Sequence, residues 1–254
     1  MKGKVTNMGM KASNKIATFF KYFVLILVGI IMIYPLLWMI SATFKDNSEI
    51  FAGISLWIKK PTLDGYRNAL NNFGGSITIL QAMLNTYSYV IPKVICTVVA
   101  ACIAAYGFGR FDFPGRKLLF NIMLATLFLP QVVLTVPQYL LYNKFGWVDS
   151  PFYLAIWVHC AFATETYFVY QLVQFMRNVP RDLDEAAAID GCSSFQTLYK
   201  VIVPMLGPAL VSCALFQFMW SCNDFMGPLL YVSTPGKYPM SLFVTLSMDG
   251  ETGY

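Results

Sequence analysis

Long apolar blocks alternate along this chain with short polar connections. Five blocks stand out: Tyr22 to Phe44; a second from near Met83 to near Phe108, interrupted by Lys93; Leu118 to Asn143; Ser150 to Met176, interrupted by Glu165; and Val201 to Asn223, with apolar residues continuing to Val232. A helix needs roughly 20 apolar residues to cross the hydrocarbon core. In lipid the backbone must satisfy its own hydrogen bonds, which makes such blocks helices. The pattern predicts an all-α polytopic membrane protein with five spans. The first block is too long for a signal-peptide core and lacks a small-residue cleavage site after it, so it reads as a retained span.

Composition agrees. Hydrophobic residues make up 57% and charged residues 12%, against about 25% charged in a soluble domain. The placement of charge sets the orientation. With the N-terminus inside, inner segments carry Lys2, Lys4, Lys11, Lys15, Lys21, Arg110, Arg116, Lys117, Arg177, Arg181 and Lys200, eleven in all. Outer segments carry six: Lys45, Lys59, Lys60, Arg67, Lys144 and Lys237. Residues 1–21 are then a cytoplasmic N-terminal segment and residues 22–254 the transmembrane domain. Lys45 to Leu80 and Tyr231 to Tyr254 are external loops. Ser233 to Tyr254, with Pro235, Pro239, Asp249 and Glu251, reads as loop without a further span.

Several chemistries find no support. The six cysteines form no CxxC pair, and five of them sit in apolar stretches as small hydrophobes. His159 is the single histidine, so the sequence offers it no evident partners for zinc or a catalytic triad. No GxxxxGK[ST] loop is present, since Gly236-Lys237 is followed by Tyr238 without the upstream glycine. No metal, cofactor or nucleic acid is expected. Lys93 and Glu165 are charges within spans, and such residues face a bundle interior or a watery cavity, pair, or snorkel to an interface. With Asn223 and Asp224 at the outer end of the fifth span they are the candidates for a translocation path. Tyr87, Tyr89, Trp157, Phe162 and Trp220 could stack on sugar rings, although packing or lipid contact accounts for most such residues equally well.

The connection between the fourth and fifth blocks, Arg177 to Lys200, holds seven of the 31 charged residues. Asp182 with Glu185 resembles a capping box, and Leu183 to Asp190 is an alanine-rich helix. Gly191 fits its C-terminal stop. Ser193 with Gln196 makes a second capping box, opening a helix from Phe195 to about Val203, where Pro204 perturbs entry into the fifth span. The result is two short helices about a glycine turn at the membrane surface. Ala186, Ala187 and Ala188 leave one flank flat, and Asp184, Glu185 and Asp190 add charge. On these grounds alone a solvated linker is as good a reading as a docking surface.

Glu185, Ala186, Ala187, Gly191 and Pro204 fall at the spacings of the EAA motif, with Val201 and Val203 in place of its Ile and Leu. The segment 177–204 thus resembles that of ABC importer permeases, where it forms the coupling helix that docks on the ATP-binding subunit. Ala105-Tyr106-Gly107-Phe108-Gly109-Arg110 with Phe113-Pro114-Gly115, Pro137 to Leu141, Asn143 to Gly146, and Trp220, Asn223, Asp224, Phe225, Pro228 and Leu229 resemble the carbohydrate, maltose-type branch. The resemblance implies the type I importer transmembrane fold in a bacterial inner membrane. Its implied partners are a second homologous permease, ATP-binding cassette subunits and an external substrate-binding protein. The cargo would be a sugar or oligosaccharide, moved by alternating access powered by the partner's ATP hydrolysis. Relatives carry a sixth span and a glycine-rich tail, so a truncated sequence is expected. The alternatives are a permease for another solute, a secondary transporter using Lys93 and Glu165, or a membrane enzyme using Glu165 or Asp224.

Overall fold

The computed structural model describes residues 3–70 and 77–251. Lys2, residues 71–76 of the loop expected to be external and residues 252–254 lie outside the described residues, as do the side chains of Lys4, Lys11, Lys15, Asp249 and Glu251. The regular elements among the described residues are helices, and the chain divides into two compact units, 1–71 and 72–254.

The first unit is dominated by α1 (Gly3–Ala42), whose stretch Thr18–Ala42 is long and apolar enough to cross a membrane. It is apolar around its whole circumference, the signature of a helix whose solvent is lipid or protein rather than water. Two short helices follow, α2 (Asn47–Phe51) and α3 (Asp64–Leu70). Asp46 caps α2, accepting the Ser48 amide at 3.4 Å. The loop folds back on the end of α1: Ser41 donates to the Leu56 carbonyl at 2.6 Å, Lys45 donates to the Ser55 carbonyl, and the Thr62 amide reaches the Phe44 carbonyl at 2.9 Å.

The second unit is built around α4 (Ile79–Arg110), a continuous helix opened by the Thr78 cap. Here the spans depart from single helices. The block Leu118 to Asn143 is two helices, α5 (Arg116–Thr126) and α6 (Gln131–Lys144), meeting at 97°. Pro130, the cap of α6, lacks the amide that would continue α5. The block Ser150 to Met176 breaks into α7 (Leu154–Trp157), a 3₁₀ turn Val158–Phe162 and α8 (Thr166–Met176). Ala163 between them takes a left-handed φ of 56°, and Thr164 bonds the His159 carbonyl at 3.0 Å.

Next comes α9 (Asp182–Ile189), then α10 (Ser194–Thr197), a π turn Leu198–Ile202 and α11 (Val203–Met205). The chain bends by 79° into α12 (Gly207–Cys222). Pro204 and Pro208 each remove an amide from the helical ladder there. Two further helices follow, α13 (Met226–Tyr231) and α14 (Met240–Glu251). The expectation of an external loop from Ser233 onward is therefore corrected, because residues 240–251 are helical. Leu242 and Phe243 are buried, α14 packs on α4, and the Met240 amide bonds Thr86 Oγ1 at 2.8 Å. Two helices are long and apolar enough to span alone, and the two bent pairs qualify only if each counts as one span.

The core sits where α4 meets α8 and α12. Ala101, Cys102 and Ala105 of α4 pack on Phe168, Val169, Leu172, Val173 and Met176 of α8 and on Ala209 and Cys213 of α12. Ala101, Ala105 and Gly109 recur every four residues, giving α4 a stripe of small side chains. In lipid there is little hydrophobic drive between helices, so such stripes act by letting backbones approach and dispersion accumulate. The approach is closest at Gly109, where a Cβ would stand 2.7 Å from Met176 Sδ. A second cluster joins Tyr89, Val90, Tyr142, Tyr153, Ile156 and Tyr231. Tyr89 is fully buried with its hydroxyl on the Ser221 carbonyl at 3.2 Å, so of the candidate sugar-stacking aromatics this one is structural.

Candidate coupling surface and translocation path

The connection 177–204 folds as two helices about Gly191. Helix α9 ends in a Schellman arrangement: the Cys192 amide bonds the Ala187 carbonyl at 2.9 Å, and the Gly191 amide the Ala188 carbonyl at 3.1 Å. Gly191 has φ of +80°, which a β-carbon disfavours. The Ser193–Gln196 capping box is present, with the Ser193 amide donating to Gln196 Oε1 at 2.8 Å and the Gln196 amide to Ser193 Oγ at 3.4 Å. The proposed Asp182–Glu185 box is absent. The helix starts one residue earlier, with Arg181 at its cap, and the Asp184 and Glu185 amides bond the Arg181 carbonyl at 2.9 and 3.2 Å. Asp182, Asp184 and Glu185 fill the first turn instead, where the helix dipole favours acids.

Asp184 has a further partner. Its Oδ2 lies 3.1 Å from Nε of Arg110, the last residue of α4, which is nearly buried. The contact is a charge pair rather than an aligned hydrogen bond. Arg110 Nη2 also donates to the Val179 carbonyl at 2.9 Å, and the Tyr106 hydroxyl donates to the Ser194 carbonyl at 3.1 Å. The end of α4 therefore holds the chain before α9, α9 itself and the start of α10. Between these elements is a recess of about 270 Å³ lined by Tyr106, Arg110, Arg181, Glu185 and Thr197. Sequence reasoning missed Arg110 and Tyr106 as partners of the connection. Both stand in the Ala105 to Arg110 run, but nothing in the sequence pairs them with residues some 70 to 90 positions away.

Ala187 turns inward and is buried, while Glu185, Ala186, Ala188, Ile189, Asp190 and Gly191 are exposed. Ile189 is 87% exposed, and Phe195 and Tyr199 beyond the turn are exposed too. Exposed apolar groups on a flat, alanine-faced helix suit a protein partner. Pro204 lies apart from this surface, at the bend into α12.

Three of the four path candidates, Lys93, Glu165 and Asp224, act on His159. Glu165 caps α8 and gathers neighbours: Cys160 Sγ lies 3.6 Å and His159 Nε2 4.0 Å from its Oε1. Lys93 of α4 is within electrostatic reach of both His159 and Cys160. The lone histidine thus has partners, contrary to the sequence reading. Ligand atoms of His159, Cys160 and Glu165 lie within 4.8 Å of one another, a set that could hold a divalent metal. The Lys93 charge beside it opposes a cation. Asp224 is also within electrostatic reach of His159, and it holds the start of α13, accepting the Gly227 amide at 3.0 Å while its carbonyl takes the Ser241 hydroxyl at 2.8 Å. Asn223 donates to the Met219 carbonyl of its own helix at 2.8 Å and does not join the Glu165 group in any bond.

At the opposite end of α4, Asn85 Nδ2 donates to the Gly236 and Tyr238 carbonyls at 3.1 and 3.2 Å. Asp149 fastens the same loop, accepting the Ser233 and Thr234 amides at 3.2 and 3.1 Å, with Lys237 Nζ 3.5 Å from its carboxylate. Partial burial pushes the Asp149 carboxyl up, but the Thr234 hydroxyl, these amides and Lys237 outweigh it and hold it below the ordinary carboxylate value.

Residues 97–252 match the family described as the binding-protein-dependent transport system inner membrane component. Over 218 residues the chain is 34% identical to a probable ABC transporter permease protein of Pyrococcus horikoshii, covering 83% of this chain and 75% of that one. It is 32% identical to the trehalose/maltose transport system permease protein of Thermococcus litoralis, covering 82% and 73%. With the galactooligosaccharides transport system permease protein of Bacillus subtilis it shares 28% identity, covering 92% and 82%. Among solved structures, a bacterial ABC transporter involved in the import of the acidic polysaccharide alginate superposes with a TM-score of 0.78 over 92% of this chain and 80% of that one. At 19% identity that likeness shows the fold alone.

Proposed function

The chain belongs to the family of binding-protein-dependent transport system inner membrane components, and on that premise we propose that it is a sugar or oligosaccharide permease coupled to its ATPase through α9. Members of the family are membrane subunits of ABC importers, working with a separate ATPase and a binding protein. That membership removes the reason for a secondary-transport or membrane-enzyme reading of Glu165.

The observation that carries the coupling role is the geometry of the connection. It presents Glu185, Ala186, Ala188, Ile189 and Asp190 outward while the Arg110–Asp184 pair ties its base to α4. Movement of a docked ATPase is then passed to the helix at the centre of the core, biasing two states of the bundle. Positive residues favour placing this side, and the N-terminus, in the cytoplasm. A second, similar permease completes the path, and Lys93 with Glu165 lines it. Residues 22–254 act as the transmembrane domain, and segment 177–204, from Asp184 to Pro204 in particular, as its coupling element.

Replacing Gly191 by Glu tests the assignment. Both the left-handed backbone and the open surface would be spoiled, since nothing lies within 4 Å of a Cβ there and the new side chain would project to the partner. The expected outcome is a chain that inserts normally but no longer links ATP hydrolysis to uptake. Normal uptake by that variant would sink the assignment. The cargo is tested by titrating the cognate external binding protein against a sugar panel, where binding only non-sugar solutes would overturn the carbohydrate reading.

A further inference from the structure

A recess separate from the coupling surface opens at the turn from α4 to α5, with a volume of about 620 Å³. Its wall is apolar and aromatic: Phe108, Phe113 and Phe120, with Val173 of α8. Its polar rim is mostly cationic: Arg116, Lys117 and Arg177 against Asp112. Asp112 pairs with Arg116, so those charges cancel. Lys117 and Arg177 are exposed and have no acidic partner among the described residues. Arg177 gives Nη1 to Gln174 at 3.3 Å, and its other donors remain for a ligand. The first turn of α5 also lines the recess, adding the positive end of that helix.

Two uncompensated cations beside a wall of phenylalanines suit an amphiphile with an anionic head. A small anion would leave that wall uncovered, and a neutral apolar ligand would leave the cations unused. The position suits such a ligand as well. Arg110 and Arg177 place the recess at the same end of the bundle as α9, where the apolar spans give way to charge. Basic pockets between membrane helices on the cytoplasmic side are recognition sites for lipid phosphates.

We propose that this recess binds an anionic phospholipid of the cytoplasmic leaflet, its phosphate on Lys117 and Arg177 and its upper acyl chain against Phe108, Phe113 and Phe120. The choice of leaflet rests on the orientation proposed above, whereas the selectivity for an anionic lipid does not.

The test uses the full chain, purified into nanodiscs of mixed phosphatidylglycerol and phosphatidylcholine, with retained lipid identified by native mass spectrometry. Phosphatidylglycerol should be retained in excess over its bulk share. Lys117→Gln and Arg177→Gln should each reduce that preference roughly fivefold, the effect of removing one surface cation from an anionic lipid. Lys21→Gln, a cation at the start of the first apolar block and outside the recess, should leave it unchanged. Retention at the bulk ratio by the unmodified chain overturns the proposal, as does an equal loss in the Lys21 variant. Displacement of the retained lipid by inorganic phosphate would also overturn it, by showing a small-anion site. Sidedness is measured apart, by labelling a Lys200→Cys variant in intact cells with an impermeant thiol reagent, relative to the unmodified chain, whose six cysteines set the background. External labelling would fault the orientation while leaving lipid selectivity standing.

Discussion

Arg110 at the end of α4 and Asp184 in the first turn of α9 lie 3.1 Å apart, and the arginine side chain is only 8% exposed. A local helix pair is thereby joined electrostatically to the core of the bundle. Removing one partner strands a nearly buried charge, which is costlier than removing both. Asp184→Leu, which leaves the arginine unpaired, is expected to destabilise the purified chain by about 3 kcal/mol. Arg110→Met with Asp184→Leu should recover much of that. Thermal unfolding in detergent over the four-variant cycle measures it, and additive losses would show that the pair is not coupled.

Gly191 sits at a φ of +80° with open space around it. The cost of a side chain there is therefore conformational and not steric. Gly191→Ala should cost about 1 kcal/mol, and Gly191→Asn less, because asparagine tolerates the left-handed region. Hydrogen exchange at the Cys192 amide, which closes the turn, reports the change. Protection unaltered by alanine would contradict the strained-turn argument.

Gly109 is the opposite case, where space decides. A Cβ would stand 2.7 Å from Met176 Sδ, at the far end of a flexible but fully buried side chain. Gly109→Ala should be tolerated by a shift of the thioether. Gly109→Val should cost about 1–3 kcal/mol by overpacking. Met176→Ala in the valine background should relieve part of that loss, while creating a cavity of its own when made alone. Melting curves of these variants decide it, and equal stability of the Gly109→Ala and Gly109→Val chains would refute the contact.

Asp149 makes the corner it forms with residues 233–237 sensitive to acid. Its carboxyl is held below the ordinary value near 3.8, net of burial, by the Thr234 hydroxyl, the Thr234 and Ser233 amides and Lys237. A depressed folded-state value stabilises the structure above the unfolded one, and the contribution is lost as pH falls through the folded value. The corner is thus intact above about pH 4 and loosens below it. Amide exchange at Ser233 and Thr234, corrected for its intrinsic pH dependence, should lose protection in that window. An Asp149→Asn chain should show no such transition there.

The legible part of the fold is governed by local backbone chemistry. Gly191 announces a left-handed stop and Ser193 with Gln196 a reciprocal cap, because both depend on neighbours within a few residues. Pro130 and Pro204 are both breakers, but Pro130 lies inside an uninterrupted apolar block, so the bend between α5 and α6 is hidden by the hydropathy around it. The left-handed Ala163 carries no sequence signal, since alanine is the best helix former. Helix α14 is masked by Pro235 and Pro239 before it and by the acids at its end. Its apolar contacts, Leu242 and Phe243, gain meaning only once α4 is beside them. The Arg110–Asp184 pair and the grouping of His159, Cys160 and Glu165 with Lys93 follow from folding across distant segments or through an irregular turn. No periodicity could have exposed them.

Helix α4 runs unbroken over 32 residues, roughly 48 Å at the usual rise. Arg110 is bound at one end to the segment around α9, and Asn85 and Thr86 at the other to the loop leading into α14. One rod therefore carries fittings at both of its tips. Pro92, which removes one bond of the helical ladder, lies between the Asn85–Thr86 end and the packed stretch at Ala101 and Ala105. The two ends of the bundle are thus fastened to a single helix.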